Sequence, residues 1–192
     1  MQNISIIEAK EPDHIAQVAA LLRDYLLWLH RRYCKDGPVL DAYFDKRQWE
    51  SELADLAGHY GAPFGGMVLA RVDGVPAGCV SMRGIGGDVA EMKRLFVRPA
   101  FQRLGLARRM VETLTELACA RGYPRMQLET GALQTEAQAL YHSMGFKPIA
   151  PYYACSEWLA RHSHFFEAKT CSRAPLFVRG AALVGAQART RS

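Results

Sequence analysis

The chain lacks any apolar run near the ~20 residues that a membrane-spanning helix needs, and residues 1–10 lack the basic start and apolar stretch of a secretory leader. A cytoplasmic protein is expected. Its five cysteines (Cys34, Cys79, Cys119, Cys155, Cys171) are odd in number, widely spaced and without a CxxC pair. That argues against a zinc ribbon or a disulfide framework and leaves reduced thiols as the expectation. No GxxxxGK[ST] occurs, which excludes a P-loop. A dinucleotide fold needs GxGxxG in its first strand-to-helix turn, whereas here a late turn holds one glycine, Gly105. There is no internal repeat and no established nucleic-acid motif.

What is present fits one ordinary domain. Across 192 residues, 49% are hydrophobic and 22% charged, enough for a sizeable core and too few residues for two full domains. The net charge of +5 is uneven: residues 151–192 carry six Lys and Arg against two Glu. Such a segment is open to nucleic acid, anionic lipid or an acidic partner, but spread arginines more often serve solubility. Residues 1–168 are read as the domain and 169–192 as a basic extension.

Asn3–Ala9 alternates like a strand, and Glu11-Pro12-Asp13 begins a helix whose stripe (Ile15, Val18, Ala19, Leu22, Tyr25, Leu26, Leu29) keeps a 3.6-residue period. His30–Asp45 reads as a polar, aromatic connection to a weaker helix near Gln48–Leu56. Gly66–Val72 and Ala77–Arg83 flank Asp73-Gly74, a hairpin signal. The strand Val89–Val97 leads through a loop into a helix from Leu106 to Gly122. A strand Met126–Thr130, a helix Gln134–Met144 stopped by Gly145, and a last strand Ser163–Ala168 complete an α/β domain with a mixed sheet. Residues 149–162 show no period.

The loop VRPAFQRLGLARRM, residues 97–110, delivers a strand into a helix. Unpaired backbone N–H groups and the positive helix end meet there, which suits phosphate oxygens. Gly105 and Ala107 keep that point free of bulk, and Arg103, Arg108 and Arg109 screen charge. A tight turn with a solvated basic face explains the same spacing.

Two motifs separate these readings. Gln102-Arg103-Leu104-Gly105-Leu106-Ala107 resembles the [QR]xxGx[GA] motif of the GNAT N-acetyltransferase superfamily, and Ala137–Phe146 resembles its second motif, a helix ending in LYxxxGF. The resemblance runs from about Ile4 to Ala168, and EMKRLFVRP and GFKPIAPYY are similar to one bacterial subgroup. It implies a single domain with a centrally splayed sheet flanked by helices. Acetyl-CoA would be the co-substrate, and no metal is implied. Leu95, Phe96 and Val97 would hold pantetheine through their backbone, and the N–H groups of Gln102, Arg103, Leu104, Gly105, Leu106 and Ala107 would hold the pyrophosphate.

Direct transfer of acetyl to an amine needs a base for the amine proton and an acid for the departing thiolate. The resemblance makes Tyr141 the acid and Glu91 the base, with Glu129 in reserve. Glu91 is equally placed to pair with Lys93 or Arg94. Gln134 stands where the family often has an asparagine that bonds the pantetheine arm. The implied partners are acetyl-CoA and a primary amine of a small molecule or protein, with no membrane or nucleic acid and with a homodimer open. A non-catalytic acyl-CoA sensor is the alternative. His162 and His164 lack metal-ligand spacing. Trp28 and Tyr33, more than Tyr25, are the aromatics placed to meet an acceptor, although core or partner contact is the commoner use of such residues.

Overall fold

The computed structural model describes residues 2–33 and 46–171. Strand β1 (Ile4–Glu8) precedes α1 (Pro12–Arg32), whose proline at the first turn needs no N–H bond. Helix α2 (Lys46–Ala54) and the short α3 (Leu56–Tyr60), capped by Asp55, then lead to β2 (Gly65–Val72) and β3 (Val75–Gly84). Asp73 and Gly74 both adopt positive φ, as the tight hairpin demands. Strand β4 (Val89–Val97), a 3₁₀ turn at Pro99–Phe101 and α4 (Leu106–Ala120) follow. Next come β5 (Arg125–Gly131), α5 (Thr135–Ser143), β6 (Lys147–Ile149), α6 (Glu157–His162) and β7 (Ser163–Lys169).

Seven strands form one sheet in the order β1-β2-β3-β4-β5-β7-β6. Only β4 and β5 run parallel, and their ladder covers just Val89–Met92 against Arg125–Leu128. Beyond that point the two strands part. The pairing of β4 with β3 also slips: Cys79 faces Phe96 and Ser81 faces Lys93, so Arg94 and Leu95 oppose Val80 alone. This bulge carries Arg94 at φ +63 and turns Arg94 and Phe96 toward α1 and α2, although strict alternation would put both on the face of Met92, which packs with α4.

Burial divides between two large clusters and a small third one of Val72, Ala77 and Leu106. Val18, Leu21, Leu22 and Leu29 of α1, Trp49 of α2 and Tyr60 of α3 pack with Met67, Leu69, Cys79 and Phe96. Met110, Val111, Leu114 and Ala118 of α4 pack with Val68, Val80, Met82, Met126 and Leu128. Each fully buried aliphatic side chain contributes about 1.5–3 kcal/mol, so these stripes hold the helices against a sheet that opens between β4 and β5.

Two readings are refined and one is corrected. Residues 149–162 hold α6, a helix too short to show a period, with Ser156 accepting from the Leu159 N–H at its start. The thiols are not all reduced: Cys119 and Cys171 are joined as a disulfide across 52 residues, Cα atoms 5.5 Å apart. Lys169 lies opposite Arg125 and the Thr170 N–H bonds the Pro124 carbonyl, which brings Cys171 back to the end of α4. No spacing rule anticipates that return. Tyr33 is a buried core residue, the commoner of the two uses open to it. Tyr43, Phe44 and the rest of residues 34–45 lie outside the described residues, as do residues 172–192. Among the described residues, no helix is long and apolar enough to cross a membrane.

Candidate active site

The parting of β4 from β5 opens a cavity of about 470 Å³. One side is formed by Leu95, Phe96 and Val97 of β4, Gln102, Arg103 and Ala107 of the loop and helix start, and Tyr141 of α5. Arg103 (φ +64) and Gly105 (φ +73) both sit in the left-handed region around Leu104. A Cβ on Gly105 would touch nothing within 4 Å, so glycine serves the backbone conformation there rather than relieving crowding inside the protein. The first turn of α4 begins immediately after, and its leading N–H groups have no carbonyl within the helix. Leu106 is buried with Val72 and Ala77, and Leu104 packs partly against them, so these two loop side chains anchor the turn.

Tyr141 is 5% exposed and packs against Phe146 and Phe166, with centroids 5.7 and 6.0 Å away. Burial pushes its phenol well above the ordinary value, keeping it protonated. Gln134 also lines the cavity, but its amide oxygen accepts from Thr130 Oγ1 at 2.7 Å and from the Gly131 N–H at 3.3 Å, and its amide nitrogen donates to the Tyr25 hydroxyl at 3.5 Å. It fastens the end of β5 to α1. Ser143 caps locally, donating to the Leu140 carbonyl and accepting from Arg108.

The opposite side is made of charged and aromatic side chains: Tyr25, Trp28 and Arg32 from α1, Lys93 and Arg94 from β4, and Glu129 from β5. Arg94 grips Glu52 of α2 through two bonds of 2.7 and 2.6 Å and stacks over Trp49 at 4.6 Å. Burial pushes the Glu52 carboxyl up, but Arg94 and the bond from Tyr60 outweigh it and hold it below the usual range. Arg32 bonds the Leu133 carbonyl and Glu136 at 2.6 Å each, its guanidinium 5.1 Å from the Trp28 ring centre.

Glu91 lies one step outside the cavity lining. It is 3% exposed, bonded by Arg83 and by the Tyr152 hydroxyl at 2.8 Å and approached by Lys93 at 3.3 Å. Burial opposes its charge, yet Lys93, Arg83 and Tyr152 together hold its carboxyl below the usual range. Such a carboxylate binds a proton weakly. Glu129 lines the cavity and accepts from Tyr153 Oη and Ser163 Oγ at 2.6 Å each, two neutral donors. Tyr152 and Tyr153 thus fasten one loop to two carboxylates on neighbouring strands. The run GFKPIAPYY contains both tyrosines, but nothing local in the sequence gives them a role, and no pattern there points to Glu52 or to the engagement of Arg94. Their partners are 24 to 61 residues away, beyond the reach of any local signal.

Comparison with known proteins agrees with this geometry. The model of the acetyltransferase (GNAT) family matches residues 23–146. The chain belongs to that family. It is 35% identical over 153 residues to an uncharacterised N-acetyltransferase of Schizosaccharomyces pombe, covering 79% of this chain and 87% of the relative. An uncharacterised N-acetyltransferase of Escherichia coli is 28% identical over 135 residues, covering 70% of this chain and 73% of the relative. Among solved structures, a GNAT-family acetyltransferase of Staphylococcus aureus superposes with a TM-score of 0.67 at 15% identity, over 88% of this chain and 100% of that one. A PaiA N-acetyltransferase of Thermoplasma acidophilum, solved with coenzyme A, gives 0.62 at 13% identity, over 87% and 99%. The protein is an acetyl-CoA-dependent acyltransferase with the single α/β domain of these neighbours.

Proposed function

We propose that the protein transfers acetyl from acetyl-CoA directly to a primary amine, with Tyr141 as the acid and Glu129, rather than Glu91, as the group that accepts the amine proton. The observation that carries this reading is the cavity itself, which brings Leu95–Val97, the loop at Gln102–Ala107, Tyr141 and Glu129 around one space. The structural neighbour with coenzyme A supports the donor. Pantetheine would lie along the unpaired edge of Leu95, Phe96 and Val97, where backbone groups lost their β5 partners. The pyrophosphate would meet the N–H groups from Arg103 to Ala107, that of Gln102 being donated to the Pro99 carbonyl.

In this scheme the ammonium first gives a proton to Glu129, which passes it to solvent. The nitrogen lone pair then attacks the thioester carbonyl carbon; a C–N bond forms and the C–S bond breaks, its electron pair leaving with sulfur. Glu129 takes the second nitrogen proton and again passes it to solvent, while Tyr141 donates its phenolic proton to sulfur and the phenolate is reprotonated from solvent. One proton is released per turnover. Glu91 becomes a positioning residue, which orients Lys93 and anchors Tyr152.

Purified protein with acetyl-CoA and a panel of primary amines tests the reading by release of free CoA. Glu129→Gln is expected to cost on the order of 10²-fold in kcat and Glu91→Gln much less. Equal losses would return the base to Glu91. Thermal stabilisation by CoA without turnover on any amine would instead establish a non-catalytic sensor.

A further inference from the structure

The acceptor side of the cavity holds two opposite charges that the protein leaves unjoined. Lys93 and Glu129 each stand one residue past Met92 and Leu128, the last pair of the parallel ladder, so they flank the point where the strands part. Both line the cavity. No ion pair joins them among the described residues. Lys93 approaches Glu91 at 3.3 Å, but Glu91 is already bonded by Arg83 at 2.8 Å, so two cations share one carboxylate. Glu129 has hydroxyl donors and, among the described residues, no cation in an ion pair with it. An excess positive charge on β4 therefore faces an unneutralised negative one on β5. Partly buried charges without counter-charges are costly, and a ligand carrying both signs would relieve both at once.

Adjacent strands lie about 4.8 Å apart before they diverge, which suits a ligand whose ammonium and carboxylate are close neighbours. Arg94 and Arg32 offer no second carboxylate site, since they are engaged by Glu52 and Glu136. A polyamine would meet three cationic side chains here and, among the described residues lining the cavity, Glu129 as the one carboxylate without an ion pair. Beyond the charged pair stand Tyr25, Trp28 and Phe96, with ring centres 5.5 to 6.2 Å apart, an apolar wall for a side chain.

We propose that the acceptor is a free α-amino acid with an apolar side chain, its ammonium received by Glu129, its carboxylate by Lys93 and its side chain by the Tyr25–Trp28–Phe96 wall. This rests on the N-acetyltransferase reading above and narrows it to one substrate class. A protein N-terminus, whose α-carboxyl is an amide, is excluded by the same logic.

The experiment compares L-leucine, L-methionine and L-phenylalanine with their carboxamides and with the amines left by removing the carboxyl, using the full chain and acetyl-CoA. The free acids are expected to show kcat/KM at least about tenfold above the other two sets, the worth of one charged hydrogen bond. Lys93→Gln should lower kcat/KM for the free acid about tenfold more than for the amide, through KM, and Lys93→Arg should recover part of the preference. Amides or decarboxylated amines used as well as the acids would overturn the proposal, as would Lys93→Gln acting equally on both. If no amine at all is acetylated while acetyl-CoA binds calorimetrically, the transferase reading fails and takes this one with it.

Discussion

The two sides of the cavity are built by opposite means. On the side proposed for the donor the contacts offered are mostly backbone: the freed edge of Leu95–Val97, the left-handed Arg103 and Gly105, and the first turn of α4. On the acceptor side they are side chains held by partners far away in sequence: Arg94 by Glu52, Lys93 beside Glu91, Glu129 by Tyr153. Backbone contacts ask only for small or apolar residues with the right φ, so that half tolerates change and is recognised by a short motif. The other half is specified by particular charges and by the loop carrying Tyr152 and Tyr153. A family with one donor and many acceptors is expected to vary on this second side.

Tyr141→Phe removes a proton donor from the boundary between the halves and should lower kcat on the order of 10²–10⁴-fold while leaving the Kd for acetyl-CoA unchanged, as stopped-time thiol release and calorimetry would show. Arg94→Met leaves Glu52 charged and buried, and chemical denaturation should find a loss of about 3–5 kcal/mol. Gly105→Val forces a side chain into the left-handed region at a cost of about 1–2 kcal/mol, which corresponds to roughly tenfold weaker donor binding.

The smallest effect is with pH. Glu52 and Glu91 both have folded values below their ordinary 4.5, so the unfolded chain binds protons more readily. Their stabilisation is present above that value and is lost as pH falls through the depressed folded values. Thermal melts between about pH 6 and pH 3 should decline, and Glu91→Gln should flatten the slope.

The same contrast explains how much can be read from the sequence. Strands β2 to β5 and helices α1, α4 and α5 follow from alternation, period and the Asp73-Gly74 turn, because those patterns are local. The loop at Gln102–Ala107 and Tyr141 follow from two motifs, and both line the cavity in part. Glu91 stands out by its position along β4, but position does not disclose Arg83 and Tyr152, which arrive from a neighbouring strand and a distant loop. The bulge that redirects Arg94 and the Cys119–Cys171 bond are equally invisible, since each depends on how separate segments meet.

The most direct test of the division of labour is calorimetric titration of acetyl-CoA into Gly105→Val and Glu129→Gln side by side with the unaltered protein. The account predicts that Gly105→Val binds roughly tenfold more weakly and that Glu129→Gln binds as the unaltered protein does while losing turnover. Equal weakening in both, or weakening confined to Glu129→Gln, would contradict it.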